Sequence, residues 1–181
     1  RRLAQRFVEF AAIGKARSVL DVGCGTGNLA LFMAKHDPGL ERIHGVDVSP
    51  AYVEYARRRS DDARLAFQVS DARALPFSDG RFDHTLAMLA LQFVPRAELA
   101  VQEMRRVTRP EGIVAACVWD YEEGGSPLSP FWSVARELDQ EAPGEAHLPG
   151  TRRGHLAELL LAAGLRQVEG TTLGVEVSHP T

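Results

Sequence analysis

The sequence predicts an α/β protein with a mostly parallel sheet covered by helices on both faces. Three observations carry this. Strand-like and helix-like segments alternate along the 181 residues. The strand-like segments are continuous apolar runs, as strands buried on both faces require. The first of them, 18–22 (SVLDV), hands over to a helix through Gly23, Gly25 and Gly27. In open parallel sheets that kind of turn sits where ligands bind, at the carboxyl ends of the strands.

The elements follow in order. Leu3, Phe7, Phe10 and Ala11 recur at three- and four-residue spacing and mark an amphipathic first helix. After the glycine loop, 28–36 reads as a buried helix with Asn28 near its start. Residues 42–49 form a second strand, and 50–59 a helix with Pro50 in its first turn. Residues 64–72 and 82–91 are the third and fourth strands. A helix over 96–107 carries its apolar stripe on Leu99, Val101 and Met104. The turn 109–112 (RPEG) leads into a fifth strand, 113–120. A helix is expected over 131–140 and a last one over 152–165, with Gly164 near its C-terminus. Two further strands are expected near 166–173 and 175–179. No repeat or second core is visible, so residues 1–181 are expected to form one domain.

Composition narrows the function. A net charge of −3 and a pI near 6.1 give no basic excess for a phosphate backbone, so nucleic acid is not the expected partner. Cys24 and Cys117 lie far apart without CxxC spacing and read as reduced thiols of a cytoplasmic protein. No apolar run reaches the roughly 18 residues of a membrane span, and no signal-peptide pattern is present. The chain starts at Arg1 without an initiator methionine and stops at Thr181 after strand-like text, which reads as truncation at both ends. The six histidines show no HxxxH or HExxH grouping, so no metal site is expected.

The glycine loop admits two ligands. Gly25 to Ala30 satisfies GxGxxA, a dinucleotide pattern, and Asp47 follows Gly27 by 20 residues, where a ribose-binding acid belongs in either case. Three features favour S-adenosylmethionine (SAM). Asp21, two residues before the first glycine, would repel a pyrophosphate but suits an amino-acid ammonium. Asp71 closes the third strand with an acceptor for an exocyclic amine. The segment 75–83 (LPFSDGRFD) leads into the fourth strand.

Four linked stretches, VLDVGCGTG (19–27), GVDVSPAYVEYAR (45–57), VSDARALPFSDGRFDHTLAMLALQFVPR (69–96) and EMRRVTRPEGIVAACVW (103–119), carry a resemblance. Over about residues 18–119 the chain resembles the class I SAM-dependent methyltransferases, specifically the methyltransferase type 11 group, which includes ubiquinone/menaquinone-type enzymes. Residues 155–165 (HLAELLLAAGL) resemble that family's penultimate element. The resemblance implies a Rossmann-like, doubly wound sheet of seven strands in the order 3-2-1-4-5-7-6, the last antiparallel. A variable substrate cover would span 121–151. It also implies site roles. The backbone of Gly23, Cys24 and Gly25 would cradle the methionine part of SAM, with Gly27 completing the loop, and Asp21 would orient its amino group. Asp47 would accept both ribose hydroxyls. Val48 would pack on the adenine, Asp71 would take its amine and Ala72 would offer an N–H to the ring. The main chain at Met88 or Leu89 would meet the amino group. Gln92 and Phe93 would face the substrate.

Other residues read more plainly. Asp71 could instead cap a helix that follows it. Asp79 and Asp83 suit turns and structure, and Cys24 suits packing rather than nucleophilic attack. Trp119, Phe131 and Trp132 are core or pocket residues. A sulfonium already activates the methyl group, so the protein's share is proximity and orientation, and a general base is optional. His147, in EAPGEAHLPG between the fifth strand and the last long helix, is the best candidate base near substrate, and Asp120 and Tyr121 follow the fifth strand at the ligand edge. An Asn-Pro-Pro-aromatic motif is absent after the fourth strand. The expected reaction is methyl transfer from SAM to a small molecule, leaving S-adenosyl-L-homocysteine (SAH), by a monomer or homodimer. The alternatives are a non-catalytic SAM- or SAH-binding module and, on the GxGxxA reading, an NAD(P)-dependent oxidoreductase.

Overall fold

The computed structural model describes residues 2–121, 126, 128–140, 144, 145 and 147–175. Eleven elements follow one another: α1 (Arg2–Phe10), β1 (Ser18–Val22), α2 (Asn28–His36), β2 (Arg42–Asp47), α3 (Pro50–Arg57), β3 (Leu65–Val69), β4 (Phe82–Met88), α4 (Ala97–Val107), β5 (Thr108–Cys117), α5 (Ser129–Leu138) and α6 (His155–Ala162). The strands form one sheet in the order β3-β2-β1-β4-β5, and every pairing is parallel. Order reverses between β1 and β4, so the glycine loop that follows β1 lies at the switch point.

Burial explains why the strands read as unbroken apolar text. All five residues of central β1 are buried, whereas edge strand β3 buries only Phe67. One face of the sheet packs against Phe7 of α1, Leu29 and Met33 of α2, and Val53 and Ala56 of α3. The other packs against Val101, Met104 and Val107 of α4 and Leu160 of α6. Ser49 caps α3, accepting the Tyr52 N–H at 3.4 Å, with Pro50 in the first turn. Asp83 ties the sheet together from below. Its carboxylate accepts the N–H groups of Arg17 (2.7 Å) and Ser18 (2.8 Å) and the Ser18 hydroxyl (3.1 Å), and pairs with Arg109 at 2.6 Å. Asp79 pairs with Arg106 at 2.8 Å, so both acids are structural.

Several expectations change. Five strands are present among the described residues rather than seven. Residues 166–173 are irregular, with Gln167 in the left-handed region, and Leu173 packs on the α1/α2 side of the core. That segment is polar, and no described strand lies beyond β5 to take its backbone hydrogen bonds. Apart from Val175, the expected strand at 175–179 lies outside the described residues. The fourth strand stops at Met88, three residues early, because Leu89 takes φ 57° and donates its N–H to the Cys117 carbonyl at 2.9 Å. The turn at 109–112 sits inside β5 as extra residues between the pairs Phe82↔Thr108 and His84↔Ile113, with Glu111 at φ 62°. In α1, Phe10 is exposed and Ala4 takes the buried position. The helix expected over 131–140 runs from Ser129 to Leu138 and buries no residue.

Candidate functional site

At the carboxyl ends of the strands, β1 leaves the sheet and the chain turns back into α2. Gly23 and Cys24 both donate N–H bonds to the Val46 carbonyl, at 2.8 and 2.9 Å, which pins the loop to the end of β2. Gly23 (φ 71°) and Gly25 (φ 52°) both need left-handed backbone, but for different surroundings. A Cβ on Gly23 would stand 2.3 Å from the Ala90 Cβ, so main chain and the β4 exit touch there. A Cβ on Gly25 would meet nothing within 4 Å, so the loop is open at that point. Gly27 is a packing position, with the Phe67 ring 3.0 Å and the Ala56 methyl 3.1 Å from a Cβ built on it.

A cleft of about 330 Å³ opens over this loop, lined by Asp21, Gly23, Cys24, Gly25, Thr26, Asn28, Leu29, Tyr52 and Met88. Asp21 is 1% exposed, and its Oδ2 has no hydrogen-bond partner. Burial raises its pKa to about 7; the Ala30 amide works against that rise and the Asp47 charge adds to it. When ionised, a buried carboxyl with an orphaned oxygen on the wall of a cleft offers an acceptor to a cation. Cys24 is buried, and burial pushes its thiol well up, so it packs rather than reacts. Burial raises the Cys117 thiol to about 11.

The other sequence-predicted residues surround this cleft at different depths. Asp47 ends β2, and each of its oxygens accepts one backbone N–H: Oδ2 from Gly25 at 2.8 Å and Oδ1 from Ser49 at 2.9 Å. The carboxylate is thus aimed by the loop it serves. Val48, next to it, is 72% exposed. Asp71 lies past the end of β3. It accepts the Arg73 N–H at 2.9 Å and pairs with that guanidinium at 2.6 Å, which holds its carboxyl down at about 2. No helix directly follows Asp71, so it caps none; its carboxylate closes a turn onto Arg73 instead. Ala72 packs on the α4/α6 side of the core. Gln92 is buried rather than open to substrate: its Oε1 accepts the Trp119 N–H at 3.2 Å and its Nε2 has no partner. Phe93 is exposed. His147 is exposed on a turn and is not among the residues lining the cleft. The Tyr121 hydroxyl donates to Glu145, and burial beside that carboxylate raises its pKa to about 12.

The sequence reading missed Thr26, Asn28, Leu29 and Tyr52 as cleft residues. Tyr52 had a usable signal, since it lies one helical turn into α3 and only five residues after Asp47.

A family described as "methyltransferase domain" matches residues 19–112, from β1 into the β5 turn. The chain belongs to that family. It is a class I methyltransferase domain, and its cofactor is SAM. Membership thus decides between the two ligands that the glycine pattern allowed. The chain is 30% identical over 183 aligned residues to a demethylmenaquinone methyltransferase of Porphyromonas gingivalis, covering 89% of this chain and 73% of the relative. Among solved structures, the methyltransferase bound to the Haloferax volcanii Trm112 methyltransferase activator superposes with a TM-score of 0.75 at 25% identity, over 93% of this chain and 70% of that one. The cyclase SpnF superposes with a TM-score of 0.71 at 31% identity, over 90% and 56%. The chain spans about half the length of other curated relatives it matches. No described helix is long and apolar enough to cross a membrane.

The residues present fit the cofactor. The orphaned Asp21 oxygen offers a partner to its ammonium, and the open face of Gly25 admits close approach to the main chain.

Proposed function

We propose that this domain transfers the methyl group of SAM to a small-molecule acceptor. The observation that carries the reading is Asp21, a buried carboxyl whose Oδ2 lacks a partner on the wall of a cleft beside the open Gly25. Bound SAM supplies a methyl group already activated on a sulfonium, so the chain's own work is binding and orientation. Asp21 holds the ammonium, and the Gly23–Cys24–Gly25 backbone faces the methionine part. Asp47, already aimed by Gly25 and Ser49, accepts the ribose hydroxyls with its remaining lone pairs. Val48 packs on the adenine; Asp71 and Ala72 meet its edge, with Asp71 keeping Arg73 on its other side. The main chain at Met88 and Leu89 closes the cleft.

The small-molecule acceptor is supported by the quinone named for the Porphyromonas gingivalis relative and by the lack of basic excess. We read residues 1–181 as one cytoplasmic domain, a monomer or homodimer, with 121–151 covering the acceptor. A second reading, cofactor binding without methyl transfer, draws on SpnF, which is named a cyclase although it shares this fold. Calorimetric titration with SAH tests the site, with NADH and Asp47→Ala as controls. Micromolar binding lost in the variant supports it, and NADH binding in its place refutes it. Methyl transfer from labelled SAM to a panel of hydroquinones then separates the two readings.

A further inference from the structure

Three successive arginines, Arg57, Arg58 and Arg59, end and follow α3, and they do three different things. Arg57 donates from Nε and Nη2 to the Phe67 carbonyl, at 2.9 and 2.7 Å. Arg58 pairs with Glu54 one turn back, at 2.9 Å. Arg59 leaves the helix altogether. Its N–H bonds the Ala56 carbonyl at 3.1 Å, which fixes the turn it sits on. Its Nη1 donates to the Thr26 carbonyl at 2.7 Å and to the Asn28 Oδ1 at 2.6 Å, and its guanidinium lies 5.8 Å from the centre of the Tyr55 ring.

Thr26 and Asn28 line the glycine-loop cleft. They also line a second groove, of about 420 Å³, whose other walls are Ala51, Tyr52, Tyr55 and Arg59. Thr26, Asn28 and Tyr52 thus form a wall common to both cavities, and Arg59, which lines the groove alone, grips Thr26 and Asn28 from that side. That wall needs gripping. Thr26 stands between Gly25 and Gly27, both in left-handed backbone, and Gly27 caps α2 without a side chain to hold the first turn. We propose that Arg59 is a positioning residue for the cofactor: it fastens Thr26 and Asn28 and so presets the loop in its binding shape. This rests on reading the cleft as the SAM site. An untethered loop would have to be ordered at the moment of binding, and that cost would come out of affinity.

The test is SAH binding by calorimetry on wild type, Arg59→Ala, Arg59→Lys, Asn28→Ala and the Arg59→Ala/Asn28→Ala pair, with melting of each ligand-free protein. Arg59→Ala should bind SAH about fivefold more weakly, the scale of one or two lost hydrogen bonds. Its melting temperature should stay near wild type, because contacts of an exposed side chain contribute little to global stability. Arg59→Lys should recover part of the loss, since an ammonium can still reach one of the two acceptors. If Arg59 acts through the wall, its removal costs less affinity when Asn28 is already alanine. Wild type and Arg59→Ala binding SAH equally would overturn the inference while leaving the cofactor site intact. So would a loss that tracks a fall in melting temperature, or costs of the two substitutions that simply multiply. Failure of wild type itself to bind SAH would overturn the site reading and this inference together.

Discussion

Asp21 makes cofactor binding depend on pH in a direction that can be calculated. In the ligand-free protein its carboxyl titrates near 7, chiefly because it is buried. An ammonium is bound by the ionised form. If the bound state keeps Asp21 ionised, the observed affinity scales with the ionised fraction in the free protein, 1/(1 + 10^(7−pH)). That fraction is roughly nine-tenths at pH 8 and roughly one-tenth at pH 6, so SAH should bind about tenfold more weakly at pH 6, about 1.4 kcal/mol. The same group has the opposite effect on stability. Its folded pKa lies above the unfolded value of 3.8, so the folded state holds more protons between pH 4 and 7, and ligand-free stability falls as pH rises through that window. The assay is calorimetric titration with SAH from pH 6 to 8.5, on wild type and Asp21→Asn. The variant should bind weakly with no pH slope, and should melt higher than wild type at pH 8 because it removes a buried charge, an effect of up to about 4 kcal/mol. Affinity that is flat from pH 6 to 8, or an Asp21→Asn variant that keeps the wild-type slope, would refute the assignment.

Gly23→Ala should destabilise the fold by about 3 kcal/mol or more, seen as a sharp fall in melting temperature, since the new methyl would sit 2.3 Å from Ala90 in left-handed backbone. Gly25→Ala should cost only about 1 kcal/mol of stability yet abolish SAH binding, because its methyl enters open space that the ligand needs. Asp83→Ala should lose about 2–3 kcal/mol in chemical denaturation, leaving two backbone N–H groups unpaired, while SAH affinity in the folded protein is unchanged. His84 is buried with both ring nitrogens unpartnered, and His44 lies edge-on to Phe77 and Phe82; burial lowers both pKa values below 6.5. The unfolded chain then takes up protons first, so stability is present above pH 6.5 and falls below it. Melting of Asp21→Asn, which lacks the opposing slope, should show that acid loss, and His44→Phe/His84→Leu should flatten it.

The sequence carried those features whose cause is local. Helix α2 runs over the expected residues because Gly27 and Asp37 bound it by their own chemistry. Helix α3 begins where Pro50 says it should, although Ser49, read as the end of the second strand, turns out to cap it. Asp21 and Asp47 could be placed at the binding edge because each strand fixes its own last residues. What was missed has distant causes. The fourth strand ends early because the Leu89 N–H finds the Cys117 carbonyl, 28 residues away. Residues 166–173 are not a strand because a strand needs a neighbour, and pairing cannot be read from one segment. Arg59 is one of three adjacent arginines, and nothing in the run tells which of them crosses to the glycine loop. Asp71 is the exception: its partner Arg73 is only two residues away, a local cause that the sequence reading passed over.

Buried groups without partners occur at several points, so the orphaned oxygen of Asp21 is not by itself a sign of function. His84 and Gln92 are buried with unpaired nitrogens too. What separates Asp21 is the sign of its charge and its address. A buried histidine relieves its burial by staying neutral, and an unpaired amide nitrogen costs a hydrogen bond at most. A carboxyl at the carboxyl end of a central strand, beside an open glycine and a second aspartate, can be relieved only by holding a proton or by accepting a cation. Holding the proton keeps the ligand-free protein stable at mild acidity, and losing it to solvent leaves the carboxylate that would pair with the ligand's ammonium, so binding should strengthen as pH rises through 7. The position where local stability is sacrificed is thus the position where binding energy is recovered, as expected when a site, rather than the fold, selects the residue.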